Sequence, residues 1–444
     1  MGSEGSQMAK KTTSTKNGSP RAVILDGMRS PFVKAFAEFQ SLSTVELSQR
    51  VASQLLEKSR FPVGEIDEVI MGCVLPSVQA PNVAREVVLG LDLPRSIPGM
   101  TVARACASSA QALILASQGI YCGDYRAVLV GGVESMSNVP VPYSKPVIDT
   151  LMGMSKARGL AKKVQMLRGL RPSELVPRAP DIAEASTGKS MGQHAEEMAR
   201  INGISREEQD ELALRSHHRA AAAWDSGKYA EEVCPLWAPP SYKPVARDTY
   251  VRGETQLDKL ATLKPAFDRN YGTLTAGNSS GLTDGASMLL VAEEKWAQDR
   301  GFAPLARVVA YANSALSPEP QLLLGPAYAA AAVLKKAGLQ LEDMDLVDIH
   351  EAFAAQVLSV LKKMECPEFA REVGWDRPIG KVDPDKLNVN GGSIALGHPF
   401  GATGARIILS TSRELQRRQA RYALIAICAA GGLGTALILE RVEA

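Results

Sequence analysis

Three motifs occur twice in this chain, in the same order, and that duplication constrains the fold more than any other feature. "VGEIDEVIMGCV" (63–74) lies on "LEDMDLVDIHEA" (341–352), with Asp67 meeting Asp345 and Val69 meeting Val347. Each copy is followed by a helix start built from small residues, "RACASSAQA" and "GHPFGATGARI", and then by a strand ending near glycines, "AVLVGGVE" and "LIAICAAGG". Within each half, β-branched runs alternate with helical spacing. This β-α-β alternation predicts two similar α/β halves, each a largely buried mixed sheet with helices on both faces. Packed together, such halves bring equivalent helix N-termini face to face.

The duplication sets the domain boundaries. The first half runs over 21–137 and is completed by about 275–302; the second runs over 303–444. Between them, 138–274 is rich in Pro, Lys and Arg, with separated short helices, and reads as a loop domain covering a site. "SLSTVELSQRVASQLLEKS" and "SREEQDELALRSHHRAAAAW" open with the capping boxes Ser43/Glu46 and Ser205/Glu208. Residues 1–20 are Ser, Thr, Gly and Lys with almost no apolar side chain. They cannot bury a core and are expected to be a disordered extension, whether a tag, a transit peptide or native sequence. Lacking an apolar h-region, they are not a secretory signal. No run of about 18 apolar residues is present to span a membrane. A net charge of +2 over 444 residues gives no nucleic-acid footprint. The six cysteines show no pairing rhythm and no CxxC spacing, so they read as reduced thiols and neither a disulfide frame nor a metal site.

Four spots place reactive side chains among Gly and Ala. Cys106 sits at a helix start, where the dipole favours thiolate, and its neighbours Ala105, Ala107, Ser108 and Ser109 leave room for an acyl group. His398 in "GGSIALGHPFGATGAR" is the imidazole suited to activate it. Cys428 in "CAAGGLGTA" is a second thiol at a tight turn, placed to act as acid or base. His350 opens "HEAFAAQ" just after a strand, placed to donate to a developing oxyanion, with Glu351 either orienting it or capping the next helix. His217 and His218 lie on a polar helix and are expected to be solvated. The segment 151–173 carries Lys156, Arg158, Lys162, Lys163, Arg168 and Arg171, no acid, and apolar residues at roughly helical spacing. It reads as a solvated basic face, or as a docking surface for a partner subunit or an anionic membrane.

In their order, "GGVESMSNVP", "LKPAFD", "TAGNSSGLTDGA", "HEAFA", "NVNGGSIALGHPFGATGAR" and "CAAGGLGTA" resemble the thiolases over about 21–441. The resemblance implies the thiolase fold, two α/β halves in a five-layered αβαβα core with an inserted loop domain. It implies that Cys106 is the acylated nucleophile, His398 its base and Cys428 the thiol that moves the α-proton of acetyl-CoA. It places Ser280, Arg252, Met191 and Phe353 against acyl-CoA, with coenzyme A as substrate and no cofactor or metal. Most thiolases carry Asn-Glu-Ala-Phe where this chain has His350-Glu351-Ala352-Phe353. The His form resembles the fatty-acid β-oxidation branch and the β-subunits of trifunctional complexes. A degradative 3-ketoacyl-CoA thiolase is therefore expected. It would be a homodimer or tetramer with a possible hydratase/dehydrogenase α-subunit, cytoplasmic if bacterial and in the mitochondrial matrix if eukaryotic. The alternatives are an acetyl-CoA C-acetyltransferase and a ketoacyl synthase-like condensing enzyme, which would use Cys106, His350 and His398 without needing Cys428.

Overall fold

The computed structural model describes residues 20–141, 143–175 and 183–443. The extension expected over 1–20 lies, apart from Pro20, outside the described residues. The first half comprises β1 (Ala22–Arg29), β2 (Val33–Lys34), α1 (Thr44–Ser59), β3 (Glu68–Gly72), α2 (Val83–Gly90), β4 (Gly99–Val102), α3 (Ser108–Cys122) and β5 (Ala127–Glu134). The excursion that follows contains α4 (Lys145–Lys156), α5 (Leu160–Leu167), α6 (Met191–Asn202), α7 (Arg206–Asp225), β6 (Leu236–Trp237), β7 (Pro244–Val245) and α8 (Leu257–Ala261). The chain returns through β8 (Thr283–Glu293) and α9 (Glu294–Asp299). The second half holds β9 (Ala306–Ala315), α10 (Gly325–Ala337), β10 (Leu346–Ile349), α11 (Ala354–Met364) and α12 (Pro367–Glu372). It ends with α13 (Ser393–Leu396), α14 (Thr403–Arg418), β11 (Tyr422–Ala429) and β12 (Leu433–Arg441).

The repeat read from the sequence is a repeat of hydrogen bonding. Asp67 precedes β3, and its carboxylate accepts from the backbone N–H groups of Arg126 (2.6 Å) and Ala127 (3.0 Å) at the start of β5. Asp345 precedes β10 and accepts in the same way from Arg421 (2.7 Å) and Tyr422 (3.1 Å) at the start of β11. Each carboxylate satisfies backbone donors that the parallel ladder leaves open and so fixes its register. The pairing that follows is also duplicated. β3 runs parallel to β5, which runs antiparallel to β8 and β8 to β1; β10 runs parallel to β11, which runs antiparallel to β12 and β12 to β9.

The sequence does not announce how the halves join. β1 and β9 pair antiparallel through Val23–Arg307 and Ile24–Ala306. Among the described residues this makes one ten-stranded sheet, ordered β10-β11-β12-β9-β1-β8-β5-β3-β4 with β2 paired to β8. Helices α1 and α2 cover the outer face of the first half, and α10 and α11 that of the second. α3 and α14 lie between, in an apolar cluster that takes Ile24, Ile70 and Val130 from one half and Ile425, Ile427 and Leu437 from the other. The two halves of this one sheet pack on either side of α3 and α14, so the layers run helix, sheet half, helix, sheet half, helix.

The two central helices meet at their N-termini, as the duplication predicts. Ala405 N–H donates to Ser109 Oγ at 2.9 Å. A Cβ on Gly404 would sit 2.7 Å from Ala110 N, so only glycine permits this approach. The excursion is tied to the first half by fully buried Arg29 of β1, whose guanidinium donates to Asp248 (2.7 and 2.9 Å) and Glu232 (3.1 Å). Both expected capping boxes form, at Ser43/Glu46 and Ser205/Glu208. The helical spacing read over 151–173 resolves into α4 and α5, broken at Gly159 (φ +91°).

Candidate active site

Cys106 is carried by a tight turn between β4 and α3. Ala105 before it is left-handed (φ +42°), a backbone region that non-glycine residues rarely enter and that clusters at functional sites. Ser108 stabilises the turn: its hydroxyl donates to Ala105 O (2.6 Å) and accepts from Arg104 N–H (2.8 Å). The thiol is half-buried.

The other three reactive groups come from the second half. His350 follows β10, and its ring lies 4.3 Å from that of His398, which sits just before α14. Nδ1 of His350 is 3.4 Å from the Cys428 thiol on β11. Nδ1 of His398 is 2.7 Å from Thr403 Oγ1. Both histidines are buried, and Nε2 of each has no partner among the described residues. Two imidazoles thus each present one ring nitrogen that no side chain or backbone group among the described residues pairs with.

The electrostatics correct one expectation. Burial pushes the Cys106 thiol up to about 12 and outweighs the N–H groups of Cys106 and Ala430 that favour its anion. Cys106 immediately precedes Ala107, the N-cap of α3, but the cost of burial is the larger effect on its thiol. It is not held as a resting thiolate by the helix start. Burial also lowers His398 to about 3, with the Arg406 charge adding to the effect, and lowers His350, with His398 and Arg406 adding. Cys428 is raised, first by burial and then by Cys106. The resting site is two thiols beside two neutral imidazoles.

Glu351 neither orients His350 nor caps α11. Its carboxylate accepts from Ser216 Oγ (2.6 Å) and Asn388 Nδ2 (2.7 Å), tying α7 to the loop before α13. His217 is also not solvated as expected. It is buried against the 250–252 segment, where Nδ1 accepts from Arg252 N–H at 3.3 Å, and desolvation lowers it to about 4. It lines a cleft of about 690 Å³ with Arg252, Tyr250, Lys34, Lys259 and Gly277.

The loop "TAGNSSG" links this cleft to the reactive groups. Ser280 N–H donates to Ala352 O (2.9 Å), and Gly281 O accepts from His398 N–H (3.0 Å). Met191 and Phe353 belong to the apolar cluster beneath and are not on the cleft wall. Arg252 is on the wall.

Two family models match the chain, the thiolase N-terminal domain over 22–295 and the thiolase C-terminal domain over 302–441. The chain belongs to the thiolase family. As a thiolase it is an acyltransferase enzyme. It is 45% identical over 422 residues to a 3-ketoacyl-CoA thiolase of Erwinia tasmaniensis, covering 95% of this chain and 96% of that protein. It is 43% identical over 421 residues to a 3-ketoacyl-CoA thiolase of Escherichia coli O139:H28, covering 95% and 97%. Among solved structures, the Bacillus anthracis acetyl-CoA acetyltransferase superposes with a TM-score of 0.83 at 33% identity, over 96% of this chain and 99% of that one. Human mitochondrial 3-ketoacyl-CoA thiolase in complex with CoA superposes at 0.81 and 33% identity, over 95% and 98%.

Sequence reasoning missed one acid in this thiolase site. Glu134 ends β5 and is buried, accepting from Val74, Leu75 and Gly401 N–H groups. It pins the His398 loop to the first half, and burial raises it to about 7. The signal was a lone acid closing the apolar strand "AVLVGGVE".

Proposed function

We propose that the chain cleaves 3-ketoacyl-CoA with CoA to acetyl-CoA and a shortened acyl-CoA, in the degradative direction of fatty-acid β-oxidation. The observation that supports this reading is the meeting of His350, His398 and Cys428, with Cys106 near enough to raise Cys428, beside a cleft with Arg252, Lys34 and Lys259 on its wall. Those cations suit the phosphates of coenzyme A.

In the proposed cycle, His398 takes the Cys106 proton as sulfur attacks the C3 carbonyl. The C2–C3 bond breaks, and its electron pair leaves as the acetyl-CoA enolate. His350 donates to the developing oxyanion, and Cys428 gives the enolate its proton. Incoming CoA gives its thiol proton to the Cys428 thiolate and attacks the acyl group, and Cys106 departs with the proton held by His398. Arg252 and Ser280 serve CoA binding, and Met191 and Phe353 the acyl side.

The likeness to an acetyl-CoA acetyltransferase of known structure supports a second reading, acetoacetyl-CoA as the working substrate. Thiolysis rates across a 3-ketoacyl-CoA length series separate the two. The β-oxidation reading expects turnover to hold or rise with chain length; activity confined to acetoacetyl-CoA contradicts it. A ketoacyl synthase-like activity leaves Cys428 without a task.

The proposed organisation is a first half of 21–137 with 275–302, a loop domain of 138–274 and a second half of 303–444. A homodimer or tetramer is supported by β4, a half-exposed strand at the end of the sheet. A hydratase/dehydrogenase α-subunit as partner, and a cytoplasmic or mitochondrial-matrix location, rest on the likeness to β-oxidation thiolases. Peripheral membrane contact through 151–173 is supported by exposed Leu151, Met152, Leu160, Val164 and Leu167 among the six cations of that segment. Liposome flotation is expected to show binding that needs anionic lipid and weakens at high salt; flotation indifferent to lipid charge rules it out.

A further inference from the structure

Among the described residues, His398 has no carboxylate beside it to hold its ring. It has a hydroxyl. Thr403 Oγ1 lies 2.7 Å from His398 Nδ1 and 3.1 Å from Pro399 O. Thr403 is fully buried at the first turn of α14, and the same turn places Pro399 O over its backbone N–H.

A neutral imidazole carries one N–H and one bare nitrogen, and a hydroxyl carries one proton. Two arrangements are therefore available. If Thr403 donates to Nδ1, only one of the two contacts is a hydrogen bond, and the proton on Nε2 becomes a buried donor with no acceptor. If Thr403 donates to Pro399 O and accepts from Nδ1–H, both contacts are hydrogen bonds. Nε2 is then left as a bare lone pair. Nε2 is unpaired in both arrangements, so what separates them is the additional hydrogen bond of the second, worth about 0.5–1.5 kcal/mol, and the second is favoured.

We infer that Thr403 is a positioning residue that fixes His398 as the Nδ1–H tautomer, so that Nε2 is the nitrogen that takes a proton. This rests on the thiolase reading above, in which His398 is the base for Cys106. It also gives the uncharged site a directional device. Arg406 and burial disfavour a lasting imidazolium, so a proton taken at Nε2 from an attacking thiol is passed on to a departing sulfur while Nδ1–H stays on Thr403. No carboxylate is required.

Selective ¹⁵N labelling of the five histidines with ring-nitrogen NMR of the resting enzyme reads the tautomer directly. His398, assigned by comparison with His398→Asn, is expected to show protonated Nδ1 and bare Nε2. Thr403→Val keeps the shape and removes the hydroxyl. Its kcat and its rate of Cys106 acylation are expected to fall about 10- to 100-fold with KM and Tm near wild type, and Thr403→Ser is expected to restore both. A purely structural role would lower Tm and leave kcat intact. A protonated Nε2 in the wild type, or Thr403→Val turning over within about threefold of it, overturns the inference. Wild-type protein that neither acylates Cys106 nor thiolyses a 3-ketoacyl-CoA overturns the thiolase reading instead.

Discussion

Cys428→Ala is expected to accept an acetyl group from acetyl-CoA at close to the wild-type rate and yet to lose thiolysis and condensation by about 1000-fold or more. Acetyl transfer to Cys106 needs a nucleophile and a base, but moves no α-proton. Thiolysis leaves an enolate that must be protonated, and condensation must make one. Cys428 is buried with its sulfur 3.4 Å from His350 Nδ1. Removing it takes away the acid or base at that point and leaves the Cys106 turn and the His398–Thr403 contact untouched. Cys106→Ala is expected to lose every one of these reactions. The release of CoA from acetyl-CoA, followed in a stopped-flow burst and compared with steady-state thiolysis, separates the two thiols. Cys428→Ala losing acetylation and thiolysis together would mean that the second thiol is not confined to the proton.

His350→Ala is expected to lower kcat about 100- to 1000-fold while KM changes little. The ring sits between the other reactive groups, with one nitrogen on Cys428 and Nε2 without a partner among the described residues. A donor there has value mainly when negative charge develops on the substrate oxygen, so its loss falls on the transition state more than on binding. His350→Asn keeps a donor at shorter reach and is expected to recover part of the activity. Rates of the alanine variant within about threefold of wild type would show that His350 does not serve an oxyanion. Thermal melts of both variants separate this from unfolding.

The parts of the fold that were legible in the sequence have local causes. Asp67 and Asp345 stand in equivalent places because each must hold the first N–H groups of a neighbouring parallel strand. Ser43 and Ser205 announce helices because a capping box needs only residues three apart. Glycines around His398 mark a backbone approach that a Cβ at Gly404 would block. The candidate site residues could be picked out because Cys106, His350, His398 and Cys428 each lie near the end of a strand or the start of a helix.

What was not legible depends on residues far apart in the chain. The β1–β9 seam that makes one sheet of two halves has no sequence signature, since both strands carry ordinary apolar runs. His217 looked solvated on a polar helix, but the 250–252 segment packs over it. Cys106 looked like a dipole-stabilised thiolate, a local argument that burial overrides. Glu351 looked tied to its neighbour His350, yet its partners Ser216 and Asn388 lie 135 and 37 residues away.

Site mapping of the acyl group tests the central claim most directly. Wild-type protein mixed briefly with acetyl-CoA, quenched in acid and digested, is expected to carry one acetyl group, on the peptide containing Cys106. Added CoA should remove it before the quench. An acetyl group on the Cys428 peptide, or none on Cys106 while the enzyme turns over, would contradict the account.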